Sequence, residues 1–289
     1  MVSRRTFLGA AVAAAALGRA HRGWAAAPLR LAAIDWAMAE TAMALGCPPV
    51  AMAELIAFRS ETPVPLPVGM TDLGLRGAPN MEALSLAAPD LILSSSYYSF
   101  AEPQLTRIAP VFSRALYVAG SPPLPKVTAL VTELAQVINQ PGRGAATLAA
   151  VQAEWAGLQH RAARFSDRPL VLMNIGDARH VRVFGDDSLF GGVLNAIGLT
   201  NAWQGGTRFS FHAPVPVEHL AEFKEARFIL VGAVPPQAAR GLKHGALWNS
   251  LGPLRGGRVG QLPEMNAFGG LPSALHFVRH LLSVLEATG

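Results

Sequence analysis

Pro141-Gly-Arg-Gly-Ala-Ala-Thr-Leu-Ala-Ala-Val-Gln-Ala-Glu-Trp-Ala-Gly-Leu-Gln-His-Arg-Ala-Ala-Arg164 stands in the middle of this chain and divides it. From Ala145 to Arg164 strong helix formers dominate. About 20 residues at a rise of 1.5 Å give a helix of roughly 30 Å. Such a helix can cross from one lobe to another, and it can equally lie on the surface of a single domain. Its composition fits both.

Either side of it, short apolar runs alternate with helical patterns. Upstream, Leu29–Trp36 reads as a strand, and Ala37–Leu45 as a helix stopped by Gly46. Val50–Met52 reads as a second strand and Pro63–Pro67 as a loop. Pro79 and Asn80 open a helix expected to turn Met81, Leu84 and Leu86 inward. Leu91–Ser94 is a buried strand with Tyr97 and Tyr98 in the loop leaving it. Val111-Phe112 and Leu116–Val118 read as strand pieces, and Val127–Ile138 as an amphipathic helix. Downstream come strands at Pro169–Asn174, Val181–Phe184 and Ala226–Gly232. Helices are expected at Leu189–Ile197, Pro216–Phe223 and Pro272–Glu286. The alternation argues for an α/β protein with mainly parallel sheet.

The first residues read as an export signal. Ser3-Arg-Arg-Thr-Phe-Leu8 is a twin-arginine motif, Phe7–Leu17 is a short stretch of apolar and small residues, and Ala25-Ala-Ala27 is a small-residue cleavage site. The stretch is too short to span a bilayer, which takes about 20 apolar residues. Periplasmic localisation by the twin-arginine route is expected. Four of the 24 basic residues, Arg4, Arg5, Arg19 and Arg22, lie in positions 1–27, which hold none of the 19 acids. The remaining body carries 20 basic against 19 acidic side chains, a balance that gives nucleic acid no electrostatic footprint. Cys47 is the only cysteine, so an intramolecular disulfide is excluded. Among catalytic signatures, no P-loop, dinucleotide fingerprint or Gly-x-Ser-x-Gly elbow occurs, and Ser94-Ser95-Ser96 has no histidine near it in sequence. The histidines are scattered singly, without carboxylates at metal-ligand spacing.

An ordered set of short motifs runs through the body. It comprises Asp72-Leu-Gly-Leu-Arg76, Pro79-Asn-Met-Glu82, Pro89-Asp-Leu-Ile92, Arg107-Ile-Ala-Pro110, Val183-Phe-Gly-Asp-Asp-Ser-Leu-Phe190, Asn201-Ala-Trp-Gln-Gly205 and Ser273-Ala-Leu-His-Phe-Val-Arg279. In this order they resemble the ferric hydroxamate-binding proteins of the FhuD type, within the helical-backbone class of substrate-binding proteins of ABC importers. The resemblance implies two Rossmann-like α/β lobes joined by one long helix, with the ligand in the cleft between them. Residues 1–27 would be the signal, 28–141 the first lobe, 142–166 the connecting helix and 167–289 the second lobe. The ligand would be an iron(III)-siderophore complex whose iron is held by the siderophore's oxygens. The protein then needs no cofactor or metal ligand of its own, only donors for the chelate oxygens and apolar walls for its carbon frame.

The resemblance also points to residues. Arg76 offers a planar fork of donors to chelating oxygens. Tyr98, just past the end of a strand, lies where open α/β sheets bind ligands, and Tyr97 competes with it for that place. In the second half Trp203 matches a pocket tryptophan of the family. Three family aromatics are replaced: Ser210, flanked by Phe209 and Phe211, stands for a tryptophan, and Asn266-Ala267-Phe268 for a tryptophan and a tyrosine. Around Glu61 and Thr62 a further tryptophan is missing. Ser210, Phe211, Asn266 and Phe268 are therefore expected to line a less aromatic pocket. That leaves open another chelate: a carboxylate siderophore, haem or a corrinoid. Glu82 and Glu218, each early in an expected helix, would dock on the inner-membrane permease; acids there also simply suit a helix N-terminus. A monomer without catalytic residues is expected, and a periplasmic enzyme on the same fold is the remaining alternative.

Overall fold

The computed structural model describes residues 29–207 and 212–288. Its first half is built on Leu31–Ala33 (β1), a fully buried strand flanked on one side by Ala51–Met52 (β2) and Thr71–Asp72 (β3). On its other side lie Leu91–Ser95 (β6) and Val111–Arg114 (β7), and all five strands run parallel. β1 and β2 are buried throughout and read as apolar runs, as strands covered on both faces must, whereas the edge strands β3 and β7 are partly exposed and carry polar residues. The chain steps outward from β1 to β3 and only then crosses back to β6. The reversal of strand order falls between β1 and β6, the place where such sheets leave a crevice at their carboxyl ends. Between β3 and β6, Gly74–Leu75 (β4) and Ala78–Pro79 (β5) form a small hairpin with Arg76 and Gly77 at its tip.

Helices cover the sheet. Trp36–Ala44 (α1) starts at Asp35, whose carboxylate accepts the Met38 N–H at 3.1 Å as an N-cap. It ends in a Schellman turn: the Cys47 N–H bonds the Ala42 carbonyl, and Gly46 takes φ +70°. Leu55–Glu61 (α2) and Met81–Leu86 (α3) follow. In α3 only Leu84 is buried; Leu86 stands out in solvent, against expectation, because two residues along a helix turn a side chain about 200° away. Ser96–Ala101 is a 3-10 turn leading into the short helix Glu102–Leu105 (α4). Leu116–Val118 is not a strand: the chain turns there, the Leu116 N–H returning to the Arg114 carbonyl.

Leu124–Val137 (α5) leads into Pro141–Ala162 (α6), about 33 Å long at 1.5 Å per residue. Near its start, Arg143 Nη1 donates to the Leu45 and Gly46 carbonyls of the first half. Near its end, Gln159 donates to the Ala196 carbonyl of the second. The helix therefore leaves one α/β unit and arrives on the other.

The second unit has strand order β10-β9-β8-β11-β12. Leu170–Ile175 (β8), Arg227–Val231 (β11) and Val259–Leu262 (β12) are parallel; His180–Phe184 (β9) and His212–Pro216 (β10) are antiparallel. The helix expected from Pro216 is instead an edge strand ending at Pro216 and a 3-10 turn, Val217–Glu222. Pro214 and Pro216 donate no ladder bond, which only an edge strand tolerates. Leu189–Ala196 (α7), Pro236–His244 (α8), Ala246–Ser250 (α9) and Gly252–Arg255 (α10) complete this unit. The last helix, Leu271–Thr288 (α11), packs on α1, α5, α6, α7 and β12. One apolar core consequently runs through both units, from Leu31 and Trp36 to Phe190 and Phe277. Cys47 is a half-buried free thiol against this core. No helix among the described residues is long and apolar enough to cross a membrane.

Candidate ligand-binding site

A cavity of about 420 Å³ opens at the carboxyl ends of β1 and β6, within the 300–1,000 Å³ usual for small-molecule sites. Asp35 leaves β1 into it, Ser95 and Ser96 leave β6, and Glu54 follows β2. The β4–β5 hairpin overhangs it with Arg76 and Gly77. Tyr97, Tyr98, Phe100 and Tyr117 form its aromatic sides, and Phe268 closes it from the second unit.

Arg76 is held on two sides. Its Nε donates to Glu54 Oε2 at 2.7 Å, and its backbone N–H donates to Glu54 Oε1 at 3.1 Å. The guanidinium carbon lies 4.0 Å from the centre of the Trp36 ring, a cation–π contact with a wholly buried indole. Trp36 is itself fixed, donating Nε1–H to the Ala53 carbonyl and meeting Phe58 edge-on. Glu54 has φ +58°, a left-handed backbone uncommon for a residue with a Cβ, which places its carboxylate behind Arg76. Among the described residues no protein group accepts a hydrogen bond from the two terminal guanidinium nitrogens of Arg76, which lines the cavity.

Tyr98 lies deep at 6% exposure, while Tyr97 is 64% exposed and meets it edge-on at 5.1 Å. Burial pushes the Tyr98 hydroxyl's pKa up, with the Arg76 charge opposing in part, so the phenol stays a proton donor at neutral pH. Burial also raises the Asp35 carboxyl, against bonds from Ser95 and Met38 and the charge of Arg76. Tyr117 donates its hydroxyl to the Gly269 carbonyl, and its ring meets Phe268 edge-on at 5.4 Å.

Of the residues expected to form the pocket, Arg76, Tyr98 and Phe268 come together here. Asn266 does not line the cavity: it is buried, with Nδ2 on Glu40 and Oδ1 accepting the Phe268 N–H at 2.9 Å. Its amide is spent on shaping the loop that presents Phe268. Trp203 packs away from the cavity, in the second unit's own core, 5.6 Å from His219 and 6.3 Å from Phe223 between ring centres. Ser210 and Phe211 lie outside the described residues, as do positions 1–27, where an export signal is expected. Glu82 is exposed in the first turn of α3, which Asn80 caps through the Ala83 N–H. Glu218 is exposed in the 3-10 turn that replaces the expected helix. Asp35, Glu54, Ser95 and Tyr117 were not singled out by sequence. For the first three the sequence carries a signal, since Asp35 and Glu54 follow strands of a parallel sheet and Ser95 ends one; Tyr117 lies in Leu116–Val118, which reads as a strand.

Among the described residues no group of three or more His, Cys, Asp or Glu could hold a metal ion. What the cavity offers is a cationic fork, a phenolic donor and four more aromatic rings, with Asp35 and Glu54 limiting its positive charge.

Comparison with known proteins agrees with this architecture. The family described as Periplasmic binding protein matches residues 31–264. The iron(3+)-hydroxamate-binding protein FhuD of Escherichia coli (strain K12) is 33% identical over 287 residues, covering 97% of this chain and 96% of its own. Among solved structures, FhuD from Vibrio cholerae with bound Fe3+-Desferal superposes with a TM-score of 0.83 at 19% identity, over 91% of this chain and 100% of that one. The petrobactin-binding protein YclQ from Bacillus subtilis gives 0.72 at 16% identity, over 90% and 92%. At these identities the structural likeness is one of fold.

Proposed function

Because the chain belongs to the periplasmic binding protein family, we propose that it captures an iron(III)-siderophore, of the hydroxamate type, and delivers it to an inner-membrane ABC permease. The observation that carries this reading is the meeting of Arg76, Tyr98 and Phe268 in one cavity at the switch point of the first sheet. A ferric hydroxamate presents anionic oxygens that already hold the iron. The outer edge of the Arg76 fork and the Tyr98 hydroxyl can donate to those oxygens, and Tyr97, Phe100 and Phe268 can cover the carbon frame. Each bond to a charged partner contributes roughly 1.5–3 kcal/mol, about one to two decades in affinity. The iron stays with the siderophore, and the protein supplies no ligand to it and no resident cofactor. The full-length similarity to the E. coli protein, whose name states iron(3+)-hydroxamate binding, supports the same ligand class.

The second unit contributes only Phe268 to the described lining, which favours a second reading: a bulkier chelate such as a carboxylate siderophore, haem or a corrinoid. The charge balance weighs against the anionic members of that set. Asp35 and Glu54 stand beside the single Arg76, so a carboxylate-rich chelate would meet two acids for one base. Titration of intrinsic fluorescence with ferrioxamine B, ferrichrome, ferric citrate and cobalamin decides between them. Quenching by a ferric hydroxamate at micromolar or lower concentration is expected; quenching by cobalamin or ferric citrate alone would overturn the assignment.

On this reading the protein is a periplasmic monomer, not an enzyme, exported through its Arg4-Arg5 motif. Changing both arginines to lysine is expected to abolish the mature protein in the periplasmic fraction; an undiminished amount would remove the twin-arginine route. Glu82 and Glu218, exposed and without an ion-pair partner among the described residues, are the proposed contacts to arginines of the permease.

A further inference from the structure

Glu40 lies in the middle of α1 with 0% exposure, in a position where an unpaired carboxylate would be prohibitively costly. It is fully engaged, and every partner belongs to the other unit. Oε2 accepts the backbone N–H groups of Gly270 at 2.9 Å and Ser273 at 3.1 Å; Oε1 accepts Ser273 Oγ at 2.7 Å and Asn266 Nδ2 at 3.1 Å. Gly270 precedes the first residue of α11 and has no side chain with which to cap it. Glu40 does that from another helix, taking the N–H three residues on, as an N-cap side chain would. The fit is close: a Cβ on Gly269 would come within 2.3 Å of Ser273 Oγ and 2.7 Å of Glu40 Oε1. A Cβ on Gly270 would stand 3.1 Å from the Ala37 carbonyl oxygen of α1.

The segment so pinned, 266–270, is the one that carries Phe268 into the cavity. Asn266 shapes it by accepting the Phe268 N–H, and the Tyr117 hydroxyl holds its far end at Gly269. We infer that Glu40, which touches no ligand, is the positioning residue of this site: it fixes the 266–270 loop against the first unit and so sets the Phe268 wall relative to Arg76 and Tyr98. Glutamine at this place keeps the volume and puts an NH2 group against donors. The loop then loses its anchor while the cavity residues themselves are unchanged.

Two measurements test this on the full-length mature protein. The first needs no ligand and stands apart from the functional reading. Amide hydrogen exchange across residues 266–275 is expected to be about tenfold faster or more in Glu40→Gln, with β8 unchanged. Equal protection of 266–275 in both proteins overturns the inference. The second rests on the functional reading and uses ferrioxamine B. Well below its melting temperature, Glu40→Gln is expected to bind about tenfold more weakly or worse. Leu242→Ala, a core change in α8, lowers melting without moving affinity. In a Phe268→Ala background the Glu40→Gln loss is expected to shrink below about threefold, because the two residues act through one loop. An undiminished loss in that background, or an equal loss in Leu242→Ala, makes Glu40 merely structural and overturns the inference. If wild-type protein binds no ferric hydroxamate, the functional reading fails and the exchange result alone decides. Should Glu40→Gln not fold, Ser273→Ala removes one of the four bonds and is expected to shift exchange and affinity in the same directions; no shift in either overturns the inference.

Discussion

Replacing Arg76 by lysine tests the fork directly, because it keeps the charge and removes the geometry. Arg76 uses Nε on Glu54, and among the described residues its two terminal nitrogens have no protein acceptor at the cavity it lines. An ammonium is a point donor; it can pair with Glu54 or reach the chelate, and it does not present two parallel bonds. Losing one charge-assisted bond costs roughly 1.5–3 kcal/mol, so Arg76→Lys should bind about 10- to 150-fold more weakly. Arg76→Ala should be worse, because Glu54 and Asp35 then face the chelate's oxygens uncompensated. Stability should change little. The Arg76–Glu54 pair is a quarter exposed on the arginine side and 22% on the other, a setting worth about 1 kcal/mol or less, and the contact with Trp36 adds a similar amount. At about 2–4 °C of melting temperature per kcal/mol for a chain of this size, the shift should stay within a few degrees. Fluorescence titration with ferrioxamine B, repeated at two temperatures well below melting, separates affinity from unfolding. Arg76→Lys binding within twofold of wild type would remove the fork from the site, and an Arg76→Ala deficit that vanishes on cooling would reassign Arg76 to stability.

Asp35→Asn preserves the N-cap, since asparagine caps as well as aspartate, and deletes a buried charge. Because burial raises the folded-state pKa above 3.8, the ionised form destabilises the folded protein. The variant should therefore be more stable than wild type at neutral pH. Its advantage should shrink as pH falls through the folded-state pKa and be gone below about 3.8; denaturant unfolding across that window checks it, and a constant difference refutes it. Glu82→Lys should leave siderophore affinity intact and lower uptake in cells, and normal transport would end its docking role. Trp203→Ala should lower the melting temperature through lost packing on His219 and Phe223 while affinity moves less than about threefold; a large affinity loss would put the indole in the ligand site. X-ray scattering curves of the empty and loaded protein should nearly superimpose, because one apolar core runs through both units, and a hinge-sized difference between them would refute this.

Elements whose cause is local were legible in the sequence. Gly46 ends α1 because a left-handed residue is needed there, and the alanine-rich run after Pro141 is helical by composition. Arg76 was marked by its motif, and its place at a hairpin tip follows from the paired Gly74-Leu75 and Ala78-Pro79. Leu86 faces solvent for a local reason, the period of its helix; in the other failures a neighbour distant in sequence decided the outcome. The run Pro216–Phe223 reads as an α-helix, but β9 pairs with His212–Pro216 and holds Pro216 in an edge strand, and Val217–Glu222 makes only a 3-10 turn. Tyr117 reads as part of a strand, and its hydroxyl instead reaches Gly269, 152 residues away. Asn266 looked like a pocket residue because its buried partner, Glu40, lies 226 positions earlier. Asp35 and Glu54 are ordinary acids in sequence, and only the parallel pairing of β1, β2 and β6 gathers them around Arg76.

Two long helices brace the units against each other. Between α6 and α11, Arg279 Nε and Nη2 donate to Glu154 at 2.6 and 2.7 Å, and Glu286 accepts from Arg161 and from Arg164 just past the end of α6. With a shared core beneath them, a wide swing of the units would expose apolar surface on both sides. A receptor built this way has little outward shape with which to announce its cargo. Empty and filled copies would present nearly the same face to the membrane complex, so empty copies compete for the transporter. The transporter must then recognise the load through the chelate itself, or accept idle encounters as part of the cost of import.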